Sequence, residues 1–158
     1  IVKTEADKEN IENLSLDVKI IRDIVEDKQG AAYAFQTALE KIDSEKIFIL
    51  SCDTPLVNLN IIDMMYQSLN DKNAVIPRWP NGYIEPLHAV YRRKETLEVV
   101  NKAINEGEKQ LSHFISKLQR VLYFSTMIIE KFDPKLDCFL NINTMNDYEV
   151  LLKKLKSI

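Results

Sequence analysis

The sequence predicts an α/β fold, a largely parallel sheet with helices on both faces, and three observations carry that expectation. Strand-sized apolar runs alternate with stretches of helical periodicity from one end of the chain to the other. One of those runs, "KIFIL" (46–50), is apolar at almost every position, the pattern of a strand covered on both sides rather than one with a wet face. Three glycines and five prolines in 158 residues leave no linker, low-complexity tract or repeat. Residues 1–158 therefore read as a single domain, large enough for one substantial core.

Taken in order, Ile1 and Val2 resemble the end of a strand already under way, and the chain reads as N-terminally incomplete. "VKII" (18–21) is a β-branched run predicted as a strand, followed by an acidic loop from Arg22 to Gln29. From Gly30 onward Ala34, Phe35, Ala38, Leu39 and Ile42 recur at helical spacing. "KIFIL" then gives the second strand. Beyond Pro55, Ile62, Met65 and Leu69 mark a helix, with Thr54 and Pro55 at its start. "AVIP" (74–77) and "LHAVY" (87–91) are strands on either side of "WPNGY" (79–83), whose Pro-Asn-Gly supplies the fixed and positive φ values of a tight turn. Leu97, Val100 and Ile104 define a helix that Gly107 ends; Phe114, Ile115 and Leu118 define a shorter one. "RVLYF" (120–124) and "CFLNI" (138–142) are the remaining strand candidates, and Thr144 caps a last helix with Tyr148, Leu151, Leu152 and Leu155 turned inward.

Composition narrows the function. A formal net charge of -3 gives no basic excess for nucleic acid, so an anionic ligand must be held by a local site. Cys52 and Cys138 stand far apart without a CxxC or Cys/His cluster, which argues against a disulfide framework or zinc site and for a reducing, cytoplasmic setting. Apolar runs are too short to span a bilayer, so no membrane partner is expected.

Ligands of open α/β sheets bind beyond the carboxyl ends of the strands. Three polar clusters fall at predicted strand ends: Arg22 and Asp23, Ser51 to Pro55, and Asn141, Asn143 and Thr144. Asp53 has two readings, a cap for the next helix or a carboxylate ligand for Mg²⁺, which takes hard oxygen donors and shares them with substrate phosphates. Asn141 and Asn143, spaced by two, point the same way on an extended strand and can serve a phosphate or a pterin-like ring, or form an Asx turn. Asp23 is either a hydrogen-bond acceptor for a nucleotide or a solvated loop acid. "EPLHAVYRR" (85–93) sets Glu85, His88, Arg92 and Arg93 around an apolar strand; its arginines suit anionic groups, or a wet helix start, and His88 is either a substrate contact or a partly buried packing residue. Trp79 reads as a side chain packed under its turn, and Cys52 as a buried small residue.

In combination, "IIRDIVEDKQGAAYAF", "FILSCDTPLV", "IEPLHAVYRR" and "FLNINTMNDYE" resemble the molybdenum cofactor guanylyltransferase family, the MobA-like proteins. The resemblance implies a Rossmann-like three-layer sandwich of the nucleotide-diphospho-sugar transferase type. It also implies a Mg²⁺-dependent transfer of GMP from GTP to the phosphate of molybdopterin, with release of pyrophosphate. Matched to the family's motifs, Asp53 is the magnesium-binding aspartate, Asp23 an acid at the nucleotide, and Asn141 and Asn143 act with Asp53 in catalysis. GTP and molybdopterin are then the substrates, with molybdoenzymes or other cofactor-biosynthesis proteins as further contacts.

Three departures qualify the resemblance, the smallest being Met145 where the family's late Asn-x-Asn-Thr-Pro motif has proline. The family's first strand and glycine-rich phosphate loop have no counterpart here. "GAAYA" (30–34) stands where Gly-Pro-Leu-x-Gly is expected, which loosens the expectation of guanine more than that of nucleotidyl transfer. The competing expectations are a related transferase using CTP or another nucleotide on a different acceptor, and a non-catalytic Rossmann-like binding module.

Overall fold

In a computed structural model, residues 1–2, 4–14, 17–23 and 30–156 are described. Their elements are α1 (Glu5–Glu12), α2 (Ala31–Lys41), β1 (Lys46–Leu50), α3 (Leu59–Gln67), β2 (Ala74–Arg78), β3 (His88–Arg92), α4 (Arg93–Asn105), α5 (Leu111–Lys117), β4 (Val121–Ser125), α6 (Thr126–Ile129), a 3₁₀ turn (Asp137–Phe139) and α7 (Met145–Leu155). The chain divides into two compact units: residues 1–47 with 92–119, and residues 48–91 with 120–158.

The first unit is mainly helical. Ala32, Tyr33, Phe35 and Leu39 of α2, Val100 and Ala103 of α4, and Phe114 and Ile115 of α5 are buried; of the positions the spacing picked out, Phe35, Leu39, Val100, Phe114, Ile115 and Leu118 are buried, Ala34, Ala38, Leu97 and Ile104 are half-buried and Ile42 is exposed. Gln36 Nε2 donates to Asn101 Oδ1 at 2.8 Å, tying α2 to α4. Arg93 closes the end of α2 by donating from Nη1 to the Leu39 carbonyl at 3.2 Å and from Nε to the Ser44 carbonyl at 3.0 Å. α1 escaped the apolar periodicity because it buries no residue; its legible signal is the capping box in which Thr4 and Asp7 satisfy each other's backbone N–H groups. "VKII" is not a strand. The extended contact there is a single parallel bridge, Val2 with Arg22, made by Val2 N–H to the Ile21 carbonyl and Asp23 N–H to the Val2 carbonyl. Most of the acidic loop expected after Asp23 lies outside the described residues.

The strands form one mixed sheet in the order β1-β3-β2-β4. β2 and β4 are parallel over their full lengths, whereas β2 and β3 are antiparallel. The sheet therefore departs from a purely parallel arrangement for a covalent reason. Residues 79–87 connect β2 to β3, too short for the dozen or so residues that a parallel crossover requires. They fold back through the predicted turn, with Gly82 at φ 90° and its N–H on the Trp79 carbonyl. Flanking β1 and β3, Ser51 N–H reaches the Leu87 carbonyl and Arg93 N–H the Glu45 carbonyl. The reversed order of these contacts means that β3 opposes β1 as well. Three strands thus share a direction and β3 runs against them.

In the second unit Ile61 and Met65 of α3 and Leu69 just beyond it pack with Val75, Val90, Ile129 and Cys138, and Phe48, Leu122, Phe124, Leu136 and Phe139 close around them. Three expectations fail here. β1 is an edge of the sheet among the described residues, and Leu50 is 37% exposed, so it is not covered on both faces. α3 starts at Leu59 and is capped by Asn58, whose side chain accepts from Asn60 N–H, so Asp53, Thr54 and Pro55 do not cap it. "CFLNI" is a 3₁₀ turn running into irregular chain rather than a strand. In α7 only Leu151 of the four expected inward residues is buried, although Thr144 caps the helix as predicted and Asp147 completes a capping box.

Candidate functional site

β1 ends at Leu50, and residues 51–58 form an irregular connection before α3. Within it Thr54 Oγ1 donates to the Ser51 carbonyl at 2.7 Å, which curls the chain and leaves Asp53 half-buried beside the strand end. The Ser51 hydroxyl donates to Asp53 Oδ1 in a short hydrogen bond. On the far side of the chain, Ile142 N–H donates to the Asp53 carbonyl at 2.8 Å and brings the segment after the 3₁₀ turn against this connection.

The reversal of β3 supplies the rest. Because β3 opposes its neighbours, its first residues meet the carboxyl ends of β1 and β2, so Glu85, Pro86, Leu87 and His88 arrive at the edge where β1 delivers Asp53. Tyr91 Oη, fully buried, donates to the Pro86 carbonyl at 2.7 Å and holds this entry in place. The result is a cavity of about 220 Å³ within the second unit, lined among others by Ser51, Asp53, Tyr83, Glu85, His88 and Asn141. Among the described residues no arginine or lysine lines it.

Of the residues singled out in the sequence, the structure gathers Asp53, Asn141, Glu85 and His88. Asn143 does not line the cavity; its backbone N–H donates to Asp147 Oδ2 at 3.1 Å, as part of the start of α7. The reason is that 138–142 is not extended as a strand, so spacing by two no longer puts both amides on one side. Arg92 ends β3, four residues after His88, and its guanidinium pairs with Glu45 Oε1 at 2.5 Å rather than lining the cavity. Asp23 belongs to the first unit, where Oδ1 accepts the buried Thr37 hydroxyl at 2.6 Å. Cys52 is exposed, against the expectation of burial.

Two environments inside the cavity are unusual. Glu85 is half-buried, and burial raises its pKa above the ordinary carboxylate value even though Trp79 Nε1 donates to Oε1 at 2.7 Å. His88 is 2% exposed, and neither ring nitrogen has a hydrogen-bond partner among the described residues. Its ring meets Phe48 edge-on at 5.3 Å and Phe139 at 4.9 Å, and burial pushes its pKa down to about 4. It is therefore a neutral imidazole at pH 7. Leaving a buried polar group unpaired costs about 1–3 kcal/mol, and such groups in native structures call for a reason. Trp79 lies against Phe139, 5.6 Å between ring centres, packed under its turn as expected.

Residues 1–121 match the family model described as the MobA-like NTP transferase domain. The chain belongs to that family. It is 33% identical over 136 residues to a probable molybdenum cofactor guanylyltransferase of Methanosarcina mazei, covering 86% of this chain and 60% of the relative. A similarly named protein of Pyrococcus horikoshii is 33% identical over 109 residues, covering 67% of this chain and 55% of the relative. The chain thus spans little more than half the length of these curated relatives. Among solved structures, the molybdopterin-guanine dinucleotide biosynthesis protein A of Archaeoglobus fulgidus shares the fold with a TM-score of 0.81 at 23% identity, over 99% of this chain and 77% of that one. The 4-diphosphocytidyl-2C-methyl-D-erythritol synthase of Anaerococcus prevotii does so at 0.68 and 13%, over 96% and 75%.

As a member of the MobA-like transferases the chain is a nucleotidyltransferase-family protein of α/β fold. The family match ends before Asn141 and Asn143, so the late motif rests on the residues themselves. Among the described residues no helix is long and apolar enough to cross a membrane. Nor do three or more His, Cys, Asp or Glu residues gather into a metal cluster there. The donor set at the end of β1 is nevertheless of the kind Mg²⁺ uses: one carboxylate, Asp53, with a hydroxyl and an amide oxygen nearby and room for phosphate oxygens and water.

Proposed function

We propose that this protein transfers GMP from GTP to the terminal phosphate of molybdopterin. In that reaction a phosphate oxygen of the acceptor forms a bond to the α-phosphorus of GTP, the bond from that phosphorus to the bridging oxygen breaks, and pyrophosphate leaves. The nucleophile is already an anion, so the protein has no proton to remove; its work is to position two anionic groups and offset their repulsion. The observation that carries the reading is the Asp53 carboxylate at the carboxyl end of β1, set into a cavity with Asn141. Mg²⁺ bound there supplies charge neutralisation on the triphosphate. Asp53 is the residue to hold it, Asn141 donates its amide to a phosphate oxygen, and Asn143 orders the start of α7. The names of the curated relatives support the same reading.

The test is guanylyl transfer by the full-length protein with GTP, Mg²⁺ and molybdopterin. Asp53→Asn should lower turnover by about 10²–10³-fold, the scale of losing one preorganised electrostatic group, with an unchanged melting curve. Transfer undiminished by the substitution would reject the assignment. A second reading, the same chemistry with CTP or another nucleotide, is favoured by "GAAYA" at 30–34. Calorimetric titration with GTP, CTP, UTP and ATP in Mg²⁺ separates the two, and metal-dependent binding of none of them would favour a binding module.

A further inference from the structure

The two oxygens of the Asp53 carboxylate are not equivalent. Oδ1 accepts the Ser51 hydroxyl, whereas nothing among the described residues donates to Oδ2. Ser51 is itself held at both ends. Its N–H donates to the Leu87 carbonyl at 2.9 Å, just before β3, and its carbonyl accepts the hydroxyl of the buried Thr54 at 2.7 Å. The Asp53 main chain is held as well, by Ile142 N–H on its carbonyl at 2.8 Å. The Ser51 hydroxyl therefore extends the fixed geometry of the sheet edge into the Asp53 side chain, and does so through one oxygen only. The local fold does not need this bond: Asn58 caps α3, and Thr54 closes the turn after β1.

A carboxylate held in this way offers a cation one oxygen. That suits Mg²⁺, which demands near-ideal octahedral geometry and keeps several of its waters, whereas Ca²⁺ accepts irregular geometry and often takes both oxygens of one carboxylate. We propose that Ser51 is a positioning residue that restricts Asp53 to coordination through a single oxygen, and so sets the site's preference for a small octahedral cation over Ca²⁺. The inference rests on the reading of Asp53 as the metal ligand and adds a residue, acting through Asp53, that decides which cation it accepts. Hydrogen-bond partners of metal ligands commonly change metal affinity by about 10–100-fold when removed.

The test uses the full-length protein with GTP and Mn²⁺, an octahedral oxygen-bound cation like Mg²⁺, and no acceptor, so that nothing turns over. Enhanced water-proton relaxation reports Mn²⁺ held on the protein, and Ca²⁺ is then added to displace it. Both cations also bind GTP in solution, but equally for every variant, so differences between variants belong to the protein. Ser51→Ala should weaken Mn²⁺ about tenfold and shift the ratio of affinities towards Ca²⁺, because both oxygens of Asp53 become available. The main-chain bonds of Ser51 survive this substitution, so the melting curve should not move. Ser51→Thr keeps the hydroxyl and should restore both the affinity and the ratio. An unchanged ratio in Ser51→Ala, or a changed one that Ser51→Thr does not restore, overturns the proposal. Asp53→Asn is the reference. If it holds Mn²⁺ as the unsubstituted protein does, the metal reading of Asp53 fails and the proposal with it; a loss in Asp53→Asn beside an indifferent Ser51→Ala rejects the role of Ser51 alone.

Discussion

β1 and residues 138–142 are alike in sequence and unlike in structure. Each is a short apolar run handing over to polar residues, "KIFIL" to Ser51 and Asp53, "CFLNI" to Asn141 and Asn143. β1 is a strand because β3 lies beside it in the sheet. The second run has no strand neighbour among the described residues; Phe139 N–H bonds the Leu136 carbonyl, Leu140 N–H the Asp137 carbonyl, and Cys138 N–H the Asp133 carboxylate at 2.8 Å. Its side chains are nevertheless packed, Cys138 at 1% exposure with its thiol pushed up to about 12 by burial. Apolar pattern therefore governs which side chains go inside, while the available backbone partners govern whether the run is a strand or a turn. The two runs meet through His88, whose ring touches Phe48 on one side and Phe139 on the other.

That junction can be broken in three ways of decreasing effect. The largest is protonation of His88. Its folded pKa of about 4 lies below the ordinary 6.5, so the unfolded chain binds the proton first and stability is lost as pH falls from about 6.5 towards 4. Integrated over that window the loss is on the order of 3 kcal/mol. Urea midpoints at pH 7 and pH 4.5 should fall more steeply for the unsubstituted protein than for His88→Phe, and parallel falls would remove His88 from the account. Next, Phe139→Ala should cost about 2 kcal/mol at pH 7, below the range for fully buried aromatics because Phe139 is only partly buried. The loss should appear in the denaturation midpoint, with Trp79 fluorescence shifted to the red as the ring loses its neighbour. Smallest is Ile142→Pro, which removes the N–H that reaches the Asp53 carbonyl. About 1 kcal/mol is expected, together with a raised KM for whichever substrate Asn141 contacts. An Ile142→Pro protein of native stability and kinetics would show that the second run seats itself by packing alone.

The helices from α2 to α5, the four strands of the sheet and the cap of α7 were legible in the sequence, because each depends on neighbours within a few residues: a 3.6-residue or continuous apolar pattern, Gly107 after α4, Thr144 with Asp147. Asp53 was legible as well, as an acid at a strand end. α1 was missed since it has no buried face, and "VKII" and "CFLNI" were misread since an apolar run carries no record of whether a partner strand lies beside it.

Glu85 and His88 mark the boundary between the two kinds of information. Their residue types were visible, and so was the turn at "WPNGY" that folds β3 back on β2. Their meeting with Asp53 and Asn141 was not, because it depends on β3 lying between β1 and β2 and opposing both. The sequence by itself determined helices α2 to α5, the four strands of the sheet, the cap of α7 and the acid at the end of β1, all set by local backbone preference and apolar spacing. Only the tertiary structure decided that His88 lies buried without a hydrogen-bond partner among the described residues, that Arg92 ends on Glu45 and that Asn143 belongs to a helix start. Such outcomes follow from pairing between residues dozens of positions apart, which no local pattern encodes.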